Sequence, residues 1–393
     1  MINEILNFVR RHENWRGTLC LNLIPSENVM SPPVRSLLSS DLCHRYTARD
    51  RFYMGTRIID EIEQYGEELA KNVFEAETAD LRPLSGHIAD LIFLGCLTKL
   101  NDSIMCVSPM DGGYPGLWKE GLAGLLGLKP LALPFSKESM NIDVEKAKEA
   151  IRSEKPKVVV FGASFITFPQ PVKEMAEVAR ESGAYIGFDG SHVLGLIAGK
   201  KFQDPLREGA QVLMGSTHKS FFGPQGGIIL AQKELGEKIK ENIYPRFVDN
   251  AHWNRIAALT LALAEMKSFG SAYADQVIRN SKTLAKALYD YGFPVTCPKI
   301  GFTQSHQIIL EYGDYEQGRK IAEKLQRANI IVDCAIRIGT CEVTRWGMKE
   351  EEMLKIAELI KKAVLDGEKP ENVRKEVAEL RLEFHRIEYC FEP

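Results

Sequence analysis

The chain lacks a dominant charge. Its 50 Lys and Arg stand against 53 Asp and Glu, for a net charge of −3, with both signs mixed along its length. On charge alone that excludes a surface built for nucleic acid or an anionic membrane. No apolar run approaches the roughly 20 residues that a membrane-crossing helix needs. The start, Met1-Ile-Asn-Glu-Ile-Leu-Asn-Phe-Val-Arg10, is amphipathic, and Arg10-Arg11-His12 closes it too early for a secretory leader. The eight cysteines (20, 43, 96, 106, 297, 334, 341, 390) include no CxxC pair and no metal-ligand spacing. Thiols scattered in this way argue against a disulfide framework or a metal site and suit a reducing compartment. Internal repeats and low-complexity tracts are also missing. A soluble, cytoplasmic globular protein is what remains, and 393 residues exceed the size of a single core.

What is present is alternation. Short apolar runs read as strands at Ser103–Ser108, Lys157–Phe161, Ala184–Phe188, Gln211–Met214 and Gly227–Leu230. Helical periodicity lies between them at Val144–Ser153, with Asp143 as N-cap, and at Val172–Ser182. Such alternation predicts an α/β fold, a mostly parallel sheet covered by helices on both faces. A long helical stretch from His252 to Leu288 follows. After it come strands at Ser305–Leu310, Ile330–Val332 and Glu342–Thr344, with helices at Tyr315–Arg327 and Lys349–Val364. The expected division is an N-terminal arm (1–25), a large domain (26–280), a smaller α/β domain (281–366) and a helical tail (367–393), in which Leu380, Leu382, Phe384 and Ile387 are packing candidates.

Chemistry concentrates at Gly215-Ser-Thr-His218-Lys219-Ser, thirty residues after Asp189 in Phe-Asp189-Gly-Ser-His192. A lone His-Lys pair is usually a polar surface turn. Here hydroxyls precede it, Gly223-Pro-Gln-Gly-Gly227 follows it, and an aspartate ends the apolar run Ala184–Phe188. That set suits a lysine forming a Schiff base with the aldehyde of pyridoxal phosphate, and a buried carboxylate keeping its pyridine nitrogen protonated. In parallel sheets ligands sit beyond the strands' carboxyl ends, where Asp189 and Ser164 fall.

The remaining candidates are bland singly. Ser85-Gly86-His87 opens the helical Ile88–Lys99, and amides at a helix start with a hydroxyl bind anions; the same residues serve as ordinary caps. Asp111-Gly-Gly-Tyr114 is a turn suited to a ring-stacking or gating residue. Ser164 and His192 are possible donors to the cofactor's phenolic oxygen. Arg337-Ile-Gly-Thr340 offers a planar fork for a substrate carboxylate, or a surface ion pair. Tyr46 and the run Arg51-Phe-Tyr53-Met-Gly55 could supply phenol donors or interface aromatics.

Taken together these motifs resemble the serine hydroxymethyltransferase family. Leu23-Ile-Pro-Ser26-Glu-Asn28 is similar to its Leu-Ile-Ala-Ser-Glu-Asn, Arg51-Phe-Tyr53-Met-Gly55 to its Arg-Tyr-Tyr-Gly-Gly, and Asp189-Gly-Ser-His192 to its Asp-Met-Ala-His. Ser216-Thr-His218-Lys219 with Gly223–Gly227 resembles its lysine motif, and Arg337-Ile-Gly-Thr340 its carboxylate-binding arginine motif. The matches run in order over about residues 20 to 350. The resemblance implies a fold-type-I pyridoxal phosphate enzyme with a seven-stranded-type sheet. Lys219, Tyr53 and His192 would be catalytic. Ser85, Gly86, His87, Asp111, Ser164, Asp189, His192, Ser216, His218, Lys219 and Asn250 would hold the cofactor. Ser26, Tyr46, Tyr53 and Arg337 would bind substrate. It also implies a homodimer in which Tyr46 and Tyr53 reach the neighbouring site.

Departures from the family pattern bear on the second substrate. The family's Tyr-Ala-Glu-Gly, whose glutamate serves folate chemistry, is here Tyr46-Thr-Ala48-Arg49, with Asp50 as a possible replacement. Asp111 stands where a ring-stacking histidine is usual. Phe247-Val-Asp-Asn250-Ala-His252 replaces a phosphate-binding Gly-Gly. The expected reaction is reversible Cα–Cβ cleavage of serine to glycine, with a tetrahydrofolate or methanopterin-type carrier taking the one-carbon unit. Alternatives are a carrier-independent threonine-type aldolase or transaldolase, and a non-catalytic ligand-sensing homologue. Intact Lys219, Asp189 and Arg337 argue against the last.

Overall fold

The computed structural model describes residues 2–47 and 52–392, so the expectations for Ala48, Arg49, Asp50 and Arg51 lie outside the described residues. The apolar runs between residues 78 and 231 assemble one sheet. Its strands are β1 (Thr78–Asp80), β2 (Ser103–Cys106), β3 (Lys129–Ala132), β4 (Val158–Phe161), β5 (Tyr185–Asp189), β6 (Val212–Ser216) and β7 (Gly227–Ala231). Their order across the sheet is β1-β7-β6-β5-β4-β2-β3. The run β3-β2-β4-β5-β6 is parallel, whereas β7 is antiparallel to both β6 and β1. The reversal at β7 has a simple cause. Only Thr217–Gly226 joins it to β6, too short a connection for the helical crossover a parallel neighbour requires.

β4, β6 and β7 are buried along their whole length, which is why their sequences run apolar without alternating. Phe161 and Phe188 on the sheet, with Phe93, Phe221 and Phe222 beside it, are among the largest fully buried side chains. Each contributes roughly 1.5–3 kcal/mol by leaving water. Asp143 caps the helix Val144–Glu154, its carboxylate accepting from Lys146 N. Sequence periodicity located the inner strands to within a few residues but missed β3, whose four residues are exposed or half-buried.

Two compact units divide the chain: Met30–Ala274 with Cys390–Pro393, and Met1–Val29 with Asp275–Tyr389. The first 25 residues and the tail as far as Tyr389, expected as separate pieces, group with the C-terminal unit. Leu21–Asn22 pairs in parallel with Ile330–Ile331, and Leu21 and Leu23 enter a core with Leu325, Ile338, Met353 and Ile360. The helix Pro370–Glu383 adds Val373, Val377 and Leu380 to that core, while Leu382 is exposed. One expected strand is corrected. Glu342–Thr344 lies in the buried helix Cys341–Arg345, and Arg337–Gly339 pairs with Gln307–Ile309 instead. Strand pairing ends at Gly339, and Thr344 then bonds back to the Thr340 carbonyl through both its amide (3.1 Å) and Oγ1 (2.7 Å). Tertiary context overrides the β-branched composition.

Candidate active site

Parallel strands bring their carboxyl ends to one edge of the sheet, and the polar groups collect there. Asp189 is the last residue of β5 and is buried; its Oδ1 accepts from Ser191 N at 2.9 Å. Ser216 ends β6, and its amide donates to Ser191 Oγ at 2.9 Å, with the two hydroxyls 3.2 Å apart. The helix Gly86–Leu97 starts against this pair. Its N-cap Ser85 accepts from Ile88 N at 3.1 Å. At Gly86 a Cβ would stand 2.3 Å from Ser216 Oγ and 2.8 Å from Ser191 Oγ, so only glycine lets the helix start come so close. Amides of a helix start beside two serine hydroxyls form an anion cradle.

This cradle opens into a cleft lined by His87, Asp90, Tyr114, Ala163, Ser164, Asp189, Ser191, His192, Ser216 and Lys219. Tyr114 reaches it because Gly112, at φ +86°, turns the chain tightly over Phe165; its hydroxyl lies 3.0 Å from His87 Nδ1. Burial, with smaller contributions from the neighbouring Asp90 and Asp189 carboxyls, pushes the Tyr114 phenol up to about 12. His218 does not line the cleft. Burial and the neighbouring Lys219 bring its imidazole down to about 4, so it is neutral at physiological pH, and its buried Nδ1 has no hydrogen-bond partner.

Of the residues expected here, the structure brings together Ser85, Gly86, His87, Ser164, Asp189, His192, Ser216 and Lys219. Asp111 does not line the cleft, and Tyr114, three residues on, does. Asn250 is committed elsewhere, accepting from Trp253 Nε1 at 2.8 Å and donating to the Arg45 carbonyl. Tyr46 and Tyr53 stack edge-on at 5.1 Å and are exposed, with the Tyr46 hydroxyl bonded to Asp249. Sequence reasoning passed over two cleft residues. Ser191 sat unremarked inside the Asp189–His192 motif, and Asp90 lay unremarked inside the helical Ile88–Lys99.

Within the C-terminal unit, two distant motifs meet. Gly339 N donates to the Leu23 carbonyl at 2.7 Å, and a Cβ on Gly339 would stand 2.4 Å from Pro25 Cα. The segment carrying Ser26 therefore lies against the strand carrying Arg337. The guanidinium is largely buried and held through Nε by Asp333 at 2.8 Å. Ile336, just before it, has φ +51°, a strained conformation for a β-branched residue of the kind that accumulates at functional sites.

A seven-stranded sheet of this order, with a helix start and a lysine-bearing cleft at its carboxyl edge, defines the fold-type-I class of pyridoxal phosphate enzymes. The serine hydroxymethyltransferase family model matches residues 2–360, and the chain belongs to that family. The serine hydroxymethyltransferase of Methanocaldococcus jannaschii is 46% identical, the match covering 98% of this chain and 94% of that protein. The Archaeoglobus fulgidus enzyme of the same name is 44% identical over 94% of this chain and 89% of its own. Among solved structures, L-threonine transaldolase from Pseudomonas fluorescens superposes with a TM-score of 0.92 at 28% identity, covering 99% of this chain and 94% of that one. The residues present fit pyridoxal phosphate: an anion cradle, a buried acid and a lysine converge on one cleft. No helix among the described residues is long and apolar enough to cross a membrane.

Proposed function

We propose that this protein is a pyridoxal phosphate-dependent hydroxymethyltransferase that interconverts serine and glycine by breaking and making the Cα–Cβ bond. The observation that carries the reading is the convergence of Lys219, Asp189 and the Gly86–Ser191–Ser216 cradle on one cleft. When bound, the cofactor supplies an electron sink for the charge left at Cα. Lys219 would anchor it through its amine, and its Nζ is the group in the cleft placed to hold or move the proton at Cα. Asp189 would hold the proton on the pyridine nitrogen, Ser164 and His192 would donate to the phenolic oxygen, and Ser85, Gly86, Ser191 and Ser216 would bind the phosphate. Tyr114 would cover the ring in place of the expected Asp111. Arg337 and Ser26 fix the substrate carboxylate, because a planar fork orients the substituents on Cα as a point charge does not.

The chain acts as a homodimer in the cytoplasm. Supporting the dimer, Tyr46, Phe52, Tyr53, Met54 and Tyr65 are all exposed, and the helix Ile2–His12 has Ile2, Ile5, Leu6, Phe8 and Val9 exposed with no buried residue. The free state of all eight cysteines suits a reducing compartment. Tyr46 and Tyr53 serve the partner's site, and activity recovered by mixing Tyr53→Phe with Lys219→Ala chains would demonstrate it.

Reduction with borohydride followed by mass analysis tests the central claim, which requires the cofactor mass on Lys219. Serine cleavage is then measured with tetrahydrofolate and with methanopterin-type carriers. Arg337→Lys should raise KM for serine about tenfold while leaving cofactor absorbance unchanged. A second reading, carrier-independent aldol or transaldol chemistry on threonine-like substrates, draws on the transaldolase likeness and on Ala48 in place of the family's glutamate. Threonine cleavage without any carrier, exceeding carrier-dependent serine cleavage, would establish it instead.

A further inference from the structure

Asp90 is the only acidic or basic residue in the apolar helix Gly86–Leu97, apart from His87, and it lies one turn inside the helix start. It is 1% exposed, it lines the cleft, and neither carboxyl oxygen has a hydrogen-bond partner among the described residues. An ionised carboxylate stripped of water with no donor costs several kcal/mol, whereas a neutral acid costs far less. The helix dipole would favour a negative charge near this end, typically by only 0.3–1 kcal/mol, so desolvation wins. Four elements carry ionisable groups into the same cleft: Asp189 and His192 at and after β5, Lys219 after β6, Tyr114 after β2, and His87 on Asp90's own helix. Burial first, and the Asp189 charge second, hold the Asp90 carboxyl well above the usual carboxylate range; Lys219 opposes them.

We propose that Asp90 and Asp189 are a divided pair, in which Asp189 carries the negative charge and Asp90 keeps its proton and presents a neutral O–H to the cofactor cleft. Two carboxyls in one dry cleft cannot both ionise cheaply, and a pyridinium can neutralise only one. Asp90 is thus a positioning residue. It supplies a hydrogen-bond donor at the base of the cleft without adding a second negative charge that would draw the pyridine proton and the Lys219 charge out of balance. The inference rests on the proposed cofactor for its purpose, but the protonation of Asp90 does not.

The test compares wild type with Asp90→Asn, which also presents a neutral donor, and with Asp90→Ser should the amide not be accommodated. Infrared difference spectra at pH 8, on cofactor-free and cofactor-loaded protein, should show a protonated-carboxyl stretch in wild type that both variants lose. The pH midpoint of the holoenzyme's visible absorbance should be the same in Asp90→Asn as in wild type. A missing carboxyl band overturns the proposal. So does a midpoint lowered by about one pH unit or more in Asp90→Asn, because that is the effect of deleting a negative charge beside Lys219. Failure of wild type to acquire the chromophore would count against the proposed function alone, since the band is also read without cofactor.

Discussion

Asp90 in the sheet unit and Glu342 in the C-terminal unit are both buried acids on buried helix faces, and burial raises both carboxyls. The chain treats them differently. Glu342 accepts from Asn22 Nδ2 at 2.7 Å and from Trp346 Nε1 at 3.4 Å, closing a contact between sequence positions 320 residues apart. Asp90 receives nothing. The difference separates a structural acid, satisfied by the protein itself, from one left open to a guest. Buried polar groups are normally paired, so an unpaired one lining a cleft is informative where an unpaired surface group is not.

The first way to test the contrast is at the open site. Lys219→Ala should lower turnover by at least about a thousandfold and abolish the reducible cofactor adduct while circular dichroism stays unchanged. Asp189→Asn comes next, with a loss of about 10- to 100-fold, the value of one charge-assisted contact, and with cofactor still bound. Near-normal turnover in that variant would place the pyridinium partner elsewhere.

At the closed site the effect should fall on stability instead. Glu342→Leu removes one of the two acceptors of the Asn22 amide, leaving it the Arg16 carbonyl alone, and should cost about 1–3 kcal/mol in urea unfolding without changing cofactor affinity. If cofactor affinity fell with it, the division between closed and open acids would not hold. A pH-dependent effect is expected at Glu63, which burial, followed by Glu67, pushes up to about 7, opposed by Arg82 at 3.8 Å. Its folded value lies above its unfolded one, so the folded state holds the extra proton, and that contribution is lost as pH rises through about 7. Glu63→Gln should therefore be neutral near pH 4 and increasingly stabilising between about pH 4.5 and 7, by up to about 3 kcal/mol near pH 8.

Much of this was legible in the sequence because local signals agreed. The inner strands ended where apolar runs ended, Asp143 capped its helix, and the lysine motif and Asp189 lay thirty residues apart on neighbouring strands. What escaped needed tertiary information. Asp90 falls at a position that helical periodicity cannot distinguish from a solvated face until the sheet covers it. Leu21–Asn22 is too short to show a strand period, and its partner lies some three hundred residues away. Glu342–Thr344 has strand composition, but its pairing partner was already taken by Arg337–Gly339. Asp111 does not line the cleft and Tyr114 does, because two glycines let the turn carry the tyrosine there, a local geometry the sequence pattern does not show.

The pairing of Leu21–Asn22 with Ile330–Ile331 also has a consequence during synthesis. Every strand of the main sheet has left the ribosome once residue 231 has emerged, so that unit can fold while translation continues. The unit built from the two chain ends must wait, its first strand unpaired, for roughly the last quarter of the protein. Until then Leu21 and Leu23 remain exposed, and the nascent chain carries its own unmet edge, the point at which a chaperone would hold it.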